Sequence, residues 1–243
     1  MQHRTLVIGD IHGAYKALEQ VLARAEVTEN DTLIFLGDYV DAWSQSPQVI
    51  QRLLQLKETN PCIFVRGNHD ELCLQWLRDG KHNEQWLTNG GQSTVDAYKL
   101  TDTATKKKHI SFLESLQNYH IDEKNRLFVH AGFTNRRGIQ FEYFPQFCYW
   151  DRTLWETALA LNQSLSKDDP MYPRRFLHYH EVYIGHTPVI RIGKTTPVHA
   201  ANIWNVDTGA AYKSPLTILD INTKQYWQSD NVNELYPEER GRN

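Results

Sequence analysis

Short apolar runs that end in Gly, Asp or His recur along the chain and limit its fold more than any other feature. They occupy residues 5–8, 32–36, 62–65, 127–129, 182–184 and 203–206. Runs of this length, rich in β-branched and aromatic residues and followed by turn residues, are typical of buried strands. The sequence therefore predicts at least six strands, each leading into a polar turn.

Helix-length stretches separate the first three runs. Residues 14–25 have helical periodicity, with one apolar face formed by Ala17, Leu18, Val21, Leu22 and Ala25. A second helix is predicted from Ser46, with Ser46 as its N-cap and Pro47 in its first helical position. Alternation of strands and helices indicates parallel strands joined by crossover helices, and therefore an α/β fold.

Polar residues of ligand type follow five successive strand runs: Asp10, His12, Asp38, Asn68, His69, His130 and His186. One such residue alone is most often an ordinary turn or loop residue. Five strand ends in succession favour a metal site, because the carboxyl ends of parallel strands open on one edge of a sheet. The set lacks thiolates, which favours manganese, iron or zinc. It also exceeds the needs of one four-coordinate ion, which favours two ions that share a carboxylate.

Charge and cysteine content narrow the functional class. The formal net charge is −3 over 243 residues, so neither nucleic acid nor an anionic membrane surface is an expected partner. Cys62, Cys73 and Cys148 show no CxxC spacing, and the sequence has no apolar run long enough for a membrane helix. We expect a cytoplasmic protein that needs no obligate protein partner.

Five motifs occur in a fixed order: Gly9-Asp10-Ile11-His12-Gly13, Gly37-Asp38-Tyr39-Val40-Asp41, Gly67-Asn68-His69-Asp70, His130-Ala131-Gly132 and Gly185-His186-Thr187. Together they resemble the calcineurin-like metallophosphoesterases, particularly bacterial members of the serine/threonine phosphoprotein phosphatase group. The resemblance implies a four-layer αββα sandwich, with two packed mixed β-sheets flanked by helices. It would form a single domain over residues 1–243, with cap-like insertions at about 76–119 and 133–180.

The resemblance also implies roles for individual residues. The first metal ion would be held by Asp10, His12 and Asp38, and the second by Asp38, Asn68, His130 and His186, with Mn²⁺ preferred over iron or Zn²⁺. A hydroxide between the ions would attack phosphorus. His69 would be the general acid, oriented by Asp41, and Arg66 and Arg152 would bind phosphate. Asp207 would support the ligands.

One departure from the family pattern affects the predicted substrate. The resembled protein phosphatases usually have arginine after the aspartate at the place of Asp41, but this chain has Ala42. The leading interpretation is a phosphomonoesterase acting on a phosphorylated small molecule or a serine/threonine phosphoprotein. The alternative is a nucleotide polyphosphate (diadenosine tetraphosphate-like) hydrolase or a phosphodiesterase. It ranks lower because symmetrical diadenosine tetraphosphate hydrolases usually lack an acidic residue at the place of Asp41. A catalytically inactive, metal-stabilised binding protein is disfavoured, because neither His69 nor Asp41 is needed to hold metal.

The second predicted insertion is unusually rich in aromatic residues. Most of these rings are expected to pack a helical cap against the sheets. A further hypothesis is that some of them line a groove beside the metals and select the substrate.

Overall fold

The computed structural model describes residues 3–81 and 83–242, and the strands in this part of the chain form two five-stranded sheets. The strands are β1 (Thr5–Ile8), β2 (Thr32–Phe35), β3 (Cys62–Phe64), β4 (Tyr119–Ile121), β5 (Leu127–Val129), β6 (Val182–Ile184), β7 (Val198–Ala200), β8 (Ile203–Asn205), β9 (Thr217–Asp220) and β10 (Tyr226–Gln228). Each of the six predicted runs contains one of these strands. Strands β4, β7, β9 and β10 lie outside the predicted runs.

Both sheets are mixed. The first has the order β10-β9-β1-β2-β3, in which β1, β2 and β3 are parallel and β9 and β10 are antiparallel to their neighbours. The second has the order β4-β5-β6-β8-β7, in which β5, β6 and β8 are parallel. The predicted parallel strands are therefore at the centre of each sheet.

The helices are α1 (Tyr15–Arg24), α2 (Ser46–Thr59), α3 (Asn68–Asp79), α4 (Glu84–Trp86), α5 (Gln92–Tyr98), α6 (Thr103–Glu114), α7 (Phe147–Trp150), α8 (Thr153–Ala160) and α9 (Val232–Leu235). The apolar face predicted for α1 is buried. The predicted cap of α2 is wrong, because Gln45 occupies the N-cap position. The Ser46 hydroxyl instead accepts a hydrogen bond from the Asp41 backbone N–H at 3.0 Å.

Successive side chains of a strand point to opposite faces of its sheet, and this alternation produces four layers. In β1, Leu6 and Ile8 pack towards the helices, whereas Val7 faces a central layer that also contains Phe128 and Tyr183 of the second sheet. The Phe128 and Tyr183 rings stack with centroids 5.1 Å apart. The two sheets thus pack face to face with helices outside, which confirms the predicted αββα sandwich.

Segment 76–119 packs beside α1 and α2 in the first apolar cluster, and segment 133–180 packs on the outer face of the second sheet. Within residues 3–81 and 83–242, the helices are too short or too polar to cross a bilayer.

Candidate active site

The strand ends of both sheets deliver polar side chains to one edge of the sandwich. Asp10 follows β1, Asp38 follows β2 and Asn68 follows β3 in the first sheet. His130 follows β5 and His186 follows β6 in the second. Because these strands are parallel within each sheet, their carboxyl ends open on the same side. The structure thus brings the ligand-type residues predicted from the sequence to one place.

His12 and the two carboxylates around it form one half of the cluster. The His12 Nδ1 atom lies 3.1 Å from the Val40 carbonyl oxygen, to which it donates a hydrogen bond. The His12 Nε2 atom is then unprotonated, 3.5 Å from Asp38 Oδ2 and 3.9 Å from Asp10 Oδ2. A backbone carbonyl that orients one ring nitrogen while the other faces carboxylates is the usual arrangement of a metal-binding histidine.

The other half is built around Asn68. Its Oδ1 atom lies 3.2 Å from His130 Nε2 and 2.9 Å from His186 Nδ1. The Leu36 carbonyl accepts a hydrogen bond from His130 Nδ1 at 2.8 Å, which leaves Nε2 facing Asp38 Oδ2 at 3.4 Å. Asp38 is therefore next to both halves, as a bridging carboxylate would be.

Backbone conformation at these turns is unusual. His12, Asp38 and His186 have φ values of 52°, 53° and 65°, a left-handed region that non-glycine residues seldom occupy. Close approach also requires glycine, because a Cβ atom at Gly67 would lie 2.1 Å from Asp38 Oδ1 and one at Gly185 would lie 2.0 Å from Asp10 Oδ1. Strained backbone of this kind concentrates at functional sites.

Electrostatics support cation binding. Burial and the Asp207 carboxylate raise the pKa of Asp10 well above its ordinary value. Burial also raises the pKa of Asp207, to about 6. Among the described residues, Asp10 Oδ1 and His186 Nε2 are buried without a hydrogen-bond partner. A group of buried carboxylates and orphaned ligand atoms fits divalent cations, which would offset the negative charge.

Asp70 is the last residue of the third motif, and no role was predicted for it. Its carboxylate accepts hydrogen bonds from the backbone N–H groups of Asp38 and Tyr39, both at 2.8 Å, and of Gly67 at 2.9 Å. Asp70 thus ties the turn after β2 to the turn after β3. Its position three residues after Gly67 matches a capping-box spacing, which is the signal that could have identified it.

His69 lies close enough to His12 and Asp38 to be considered as a third ligand. Two contacts favour a different role. His69 Nδ1 is 2.6 Å from Asp41 Oδ2, and His69 Nε2 is 3.1 Å from Nη1 of Arg242. A guanidinium beside the remaining nitrogen disfavours a second cation there. Burial alone would lower the pKa of His69, but Asp38 and Asp41 raise it above its ordinary value, which suits a proton donor.

A cavity of about 370 Å³ opens beside this cluster. Its wall includes Trp86 and Trp150, so each predicted insertion contributes one ring to the cavity wall. The cavity also has three arginines: Arg152, which was predicted, and Arg191 and Arg242, which were not. Neither of the two additional arginines belongs to a motif, so no local signal in the sequence indicated them.

Arg66, which the resemblance implied would contact phosphate, is engaged by other groups of the protein. Its guanidinium forms an ion pair with Glu71 and donates to the Glu114 and Leu116 carbonyls at 3.4 and 3.3 Å. Arg66 is absent from the described cavity wall. The contact of Arg66 with phosphate therefore stays a prediction.

Comparison with known proteins agrees with this fold. The sequence pattern of the calcineurin-like phosphoesterases matches residues 3–189. An asymmetrical bis(5'-nucleosyl)-tetraphosphatase PrpE of Anoxybacillus flavithermus is 28% identical over 230 residues, which cover 88% of each chain. Serine/threonine-protein phosphatase 1 of Salmonella typhimurium is 26% identical, over 88% of this chain and 90% of that protein. The crystal structure of a metallophosphoesterase from Sphaerobacter thermophilus has a TM-score of 0.54 and 20% identity, over 94% of this chain and 87% of that one.

The sandwich fold and the clustered Asp, Asn and His side chains define a metal-dependent hydrolase of phosphoric esters. The chain belongs to the calcineurin-like phosphoesterase family, because the family pattern spans well over half of it. The family predicted from the five motifs is therefore confirmed.

Proposed function

We propose that this phosphoesterase hydrolyses nucleoside polyphosphates of the bis(5'-nucleosyl) tetraphosphate class. The main observation in support of this proposal is that Arg152, Arg191 and Arg242 all line the cavity beside the cluster of ligand-type residues. Within residues 3–81 and 83–242, none of the three has a carboxylate oxygen within 4.0 Å. A monoester presents one phosphoryl group, whereas a polyphosphate chain presents several that separate guanidinium groups can bind.

Exposed aromatic surface in the cavity supports a nucleoside rather than inorganic polyphosphate. The Trp150 side chain is 45% exposed, and its ring centroid lies 6.3 Å from that of His186. Tyr212 also lines the cavity. Nucleobases stack on such rings with a gain of about 1–3 kcal/mol each. The name of the Anoxybacillus flavithermus relative points to the same substrate class, so the order of the two substrate hypotheses is the reverse of that drawn from the sequence.

In this proposal two divalent cations, with Mn²⁺ preferred, are held by the strand-end residues with Asp38 shared: Asp10 and His12 on one side, and Asn68, His130 and His186 on the other. When bound, such ions neutralise phosphoryl oxygens and lower the pKa of water. The Asp207 carboxylate raises the pKa of Asp10 and adds negative charge beside it, which bound cations would offset.

The protein's own proton chemistry rests on His69 and Asp41. Asp41 holds His69 Nδ1 at 2.6 Å, so that Nε2 faces the cavity. In its imidazolium form, with Arg242 Nη1 no longer donating to Nε2, His69 would protonate the leaving oxygen from there. The Asp41 carboxylate stabilises that imidazolium before transfer. Arg152 lies in the short connection between α7 and α8 and lines the cavity. It binds non-bridging oxygens of the substrate.

A substrate panel tests the proposal. With Mn²⁺ present, kcat/KM for diadenosine tetraphosphate should exceed that for a phosphoserine peptide and for bis(4-nitrophenyl) phosphate by at least about tenfold, equivalent to 1.4 kcal/mol. Trp150→Ala should lower kcat/KM for the dinucleotide more than for 4-nitrophenyl phosphate. Phe144→Ala, which changes an exposed ring outside the cavity wall, is the matched control. A higher kcat/KM for the phosphopeptide would overturn the proposal.

The second candidate is a phosphomonoesterase acting on serine/threonine phosphoproteins. It is favoured by the retained pair of His69 and Asp41 and by the Salmonella typhimurium relative. The same substrate panel separates it from the first.

A further inference from the structure

The carboxyl-terminal segment after α9 is anchored to the loop that follows Asp41. The Tyr236 ring stacks on Trp43 with centroids 5.2 Å apart. The Glu239 carboxylate accepts hydrogen bonds from the Ser44 backbone N–H at 2.9 Å and from the Ser44 hydroxyl at 2.7 Å. These contacts join positions almost 200 residues apart in the chain. They lead the segment towards the cavity beside His69.

Arg242 is the residue that this segment places in the cavity. Its backbone N–H donates to the Ala211 carbonyl at 2.8 Å, which holds the residue in place. Its Nη1 atom lies 3.1 Å from His69 Nε2, and its guanidinium carbon lies 5.5 Å from the centroid of the Tyr212 ring. A carbonyl, an aromatic face and an imidazole thus position the charged group without neutralising it.

Arg242 differs from most other partly or fully buried arginines in that it does not form an ion pair with a described residue. Arg4, Arg66, Arg126 and Arg175 each lie within 4.0 Å of a carboxylate. Arg242 has no such partner among residues 3–81 and 83–242. A partly buried guanidinium at the mouth of a metal-ligand cluster, with donors left over, is suited to a phosphoryl group.

The position of Arg242 is also related to the missing arginine. Ala42 donates its backbone N–H to the Gly90 carbonyl at 3.0 Å. A Cβ atom at Gly90 would lie 2.9 Å from the Ala42 backbone nitrogen and 3.3 Å from Arg242 Cγ. The stem of Arg242 and the backbone of Ala42 therefore flank the same glycine. Arg242, near the carboxyl terminus, thus lies close to Ala42, where the second motif provides only a methyl group.

We propose that Arg242 binds the substrate phosphoryl group beside His69 and thereby replaces the cation that Ala42 does not supply. The inference rests on the proposed function only in requiring that the ligand carry a phosphoryl group. Donation from Arg242 to a phosphoryl oxygen would also hold the leaving oxygen near His69 Nε2. The segment after α9 would then be part of the binding site rather than a surface appendage.

Inorganic phosphate is a direct probe, because its binding is measured by calorimetry on the metal-loaded protein without turnover. Arg242→Ala should weaken phosphate binding roughly ten- to a hundredfold, the range for a lost hydrogen bond to a charged group. Arg242→Gln keeps the length of the side chain and should lose a similar factor, whereas Arg242→Lys should lose less. Arg240→Ala, on the same segment but exposed and outside the cavity wall, is the control and should bind like the parent.

The outcomes are distinct. Unchanged phosphate affinity in a folded Arg242→Ala protein with full metal content would overturn the proposal. A rise in kcat/KM would also overturn it, because the segment would then be an inhibitory plug. Phosphate binding does not depend on which ester is the substrate. The substrate panel can therefore contradict the proposed function while the phosphate titrations support the role of Arg242, and the titrations can contradict that role while the panel supports the proposed function. Melting temperature and metal content of Arg242→Gln distinguish lost binding from lost folding.

Discussion

The indole Nε1 of Trp86 donates a hydrogen bond to Asp41 Oδ2 at 2.6 Å, and the same oxygen lies 2.6 Å from His69 Nδ1. Trp86 belongs to the segment predicted as an insertion, and Gly91 packs so closely that a Cβ atom there would lie 2.4 Å from the indole ring. The insertion therefore fixes the carboxylate that orients the proposed acid. If His69 is the proposed acid, the insertion supports its orientation as well as covering the core.

Trp86→Phe should keep the ring packing but remove this hydrogen bond. A hydrogen bond to a charged group contributes about 1.5–3 kcal/mol, so we expect turnover to fall by up to about a hundredfold while the metal content stays the same. Steady-state kinetics and elemental analysis check this. Trp76→Phe is the control, because Trp76 packs 5.9 Å from Trp86 but is not bonded to Asp41. Equal losses in the two variants would mean that packing, not the hydrogen bond, matters.

His69→Asn should retain both metal ions but reduce turnover roughly 10²–10⁴-fold, the usual contribution of a general acid. The reduction should be smaller for 4-nitrophenyl phosphate than for phenyl phosphate, because nitrophenolate leaves without a proton. Parallel kinetics on the two esters measure the difference. A fall in metal content would instead identify His69 as a ligand.

Asp38→Asn should weaken the binding of both ions, because the Asp38 carboxylate lies between the two halves of the cluster. We expect elemental analysis after dialysis to find about two ions in the parent protein and fewer than one in the variant. Asp168→Asn, in an exposed loop, is the control. Two ions held tightly by Asp38→Asn would rule out a bridging role.

Asp70→Asn should destabilise the fold although Asp70 is not expected to touch metal. An amide can accept from only one side, so at least one of three buried backbone N–H groups loses its partner. We expect the free energy of unfolding to fall by about 1.5–3 kcal/mol or more in urea titrations of the metal-free protein. Asp79→Asn, exposed at the end of α3, should change it little. An unchanged unfolding midpoint for Asp70→Asn would contradict the proposed tie between the two turns.

Ala42→Arg should gain little phosphate affinity in the parent protein. Ala42 is 7% exposed, has a φ of 65° and shares its surroundings with Arg242, so a second guanidinium there meets crowding and like charge. In the Arg242→Ala background the same change should recover part of the lost affinity. Calorimetric phosphate titrations of the two single variants and the double variant measure this coupling. Strictly additive effects would show that the two positions do not serve one phosphoryl group.

The central strands and the cluster of ligand-type residues were predictable because their signals are local. Val7 and its neighbours form an apolar run, and the residues after it, Gly9 and Asp10, mark where the strand ends. The geometry of parallel sheets then places every such end on one edge. The pairing of His69 with Asp41 was implied by the resemblance to the family, and their 2.6 Å contact agrees with it.

Contacts between distant segments were not predictable in this way. The role of Trp86 depends on an insertion that folds back to Asp41. The orientation of Arg66 depends on its ion pair with Glu71. The position of Arg242 depends on the packing of the carboxyl-terminal segment, through Tyr236, against Trp43. No residue type or spacing near these positions encodes such distances, because they result from how sheets and helices pack. Strand ends, and with them the ligand-type residues, are properties of short segments, whereas the wall of the cavity exists only once remote segments meet.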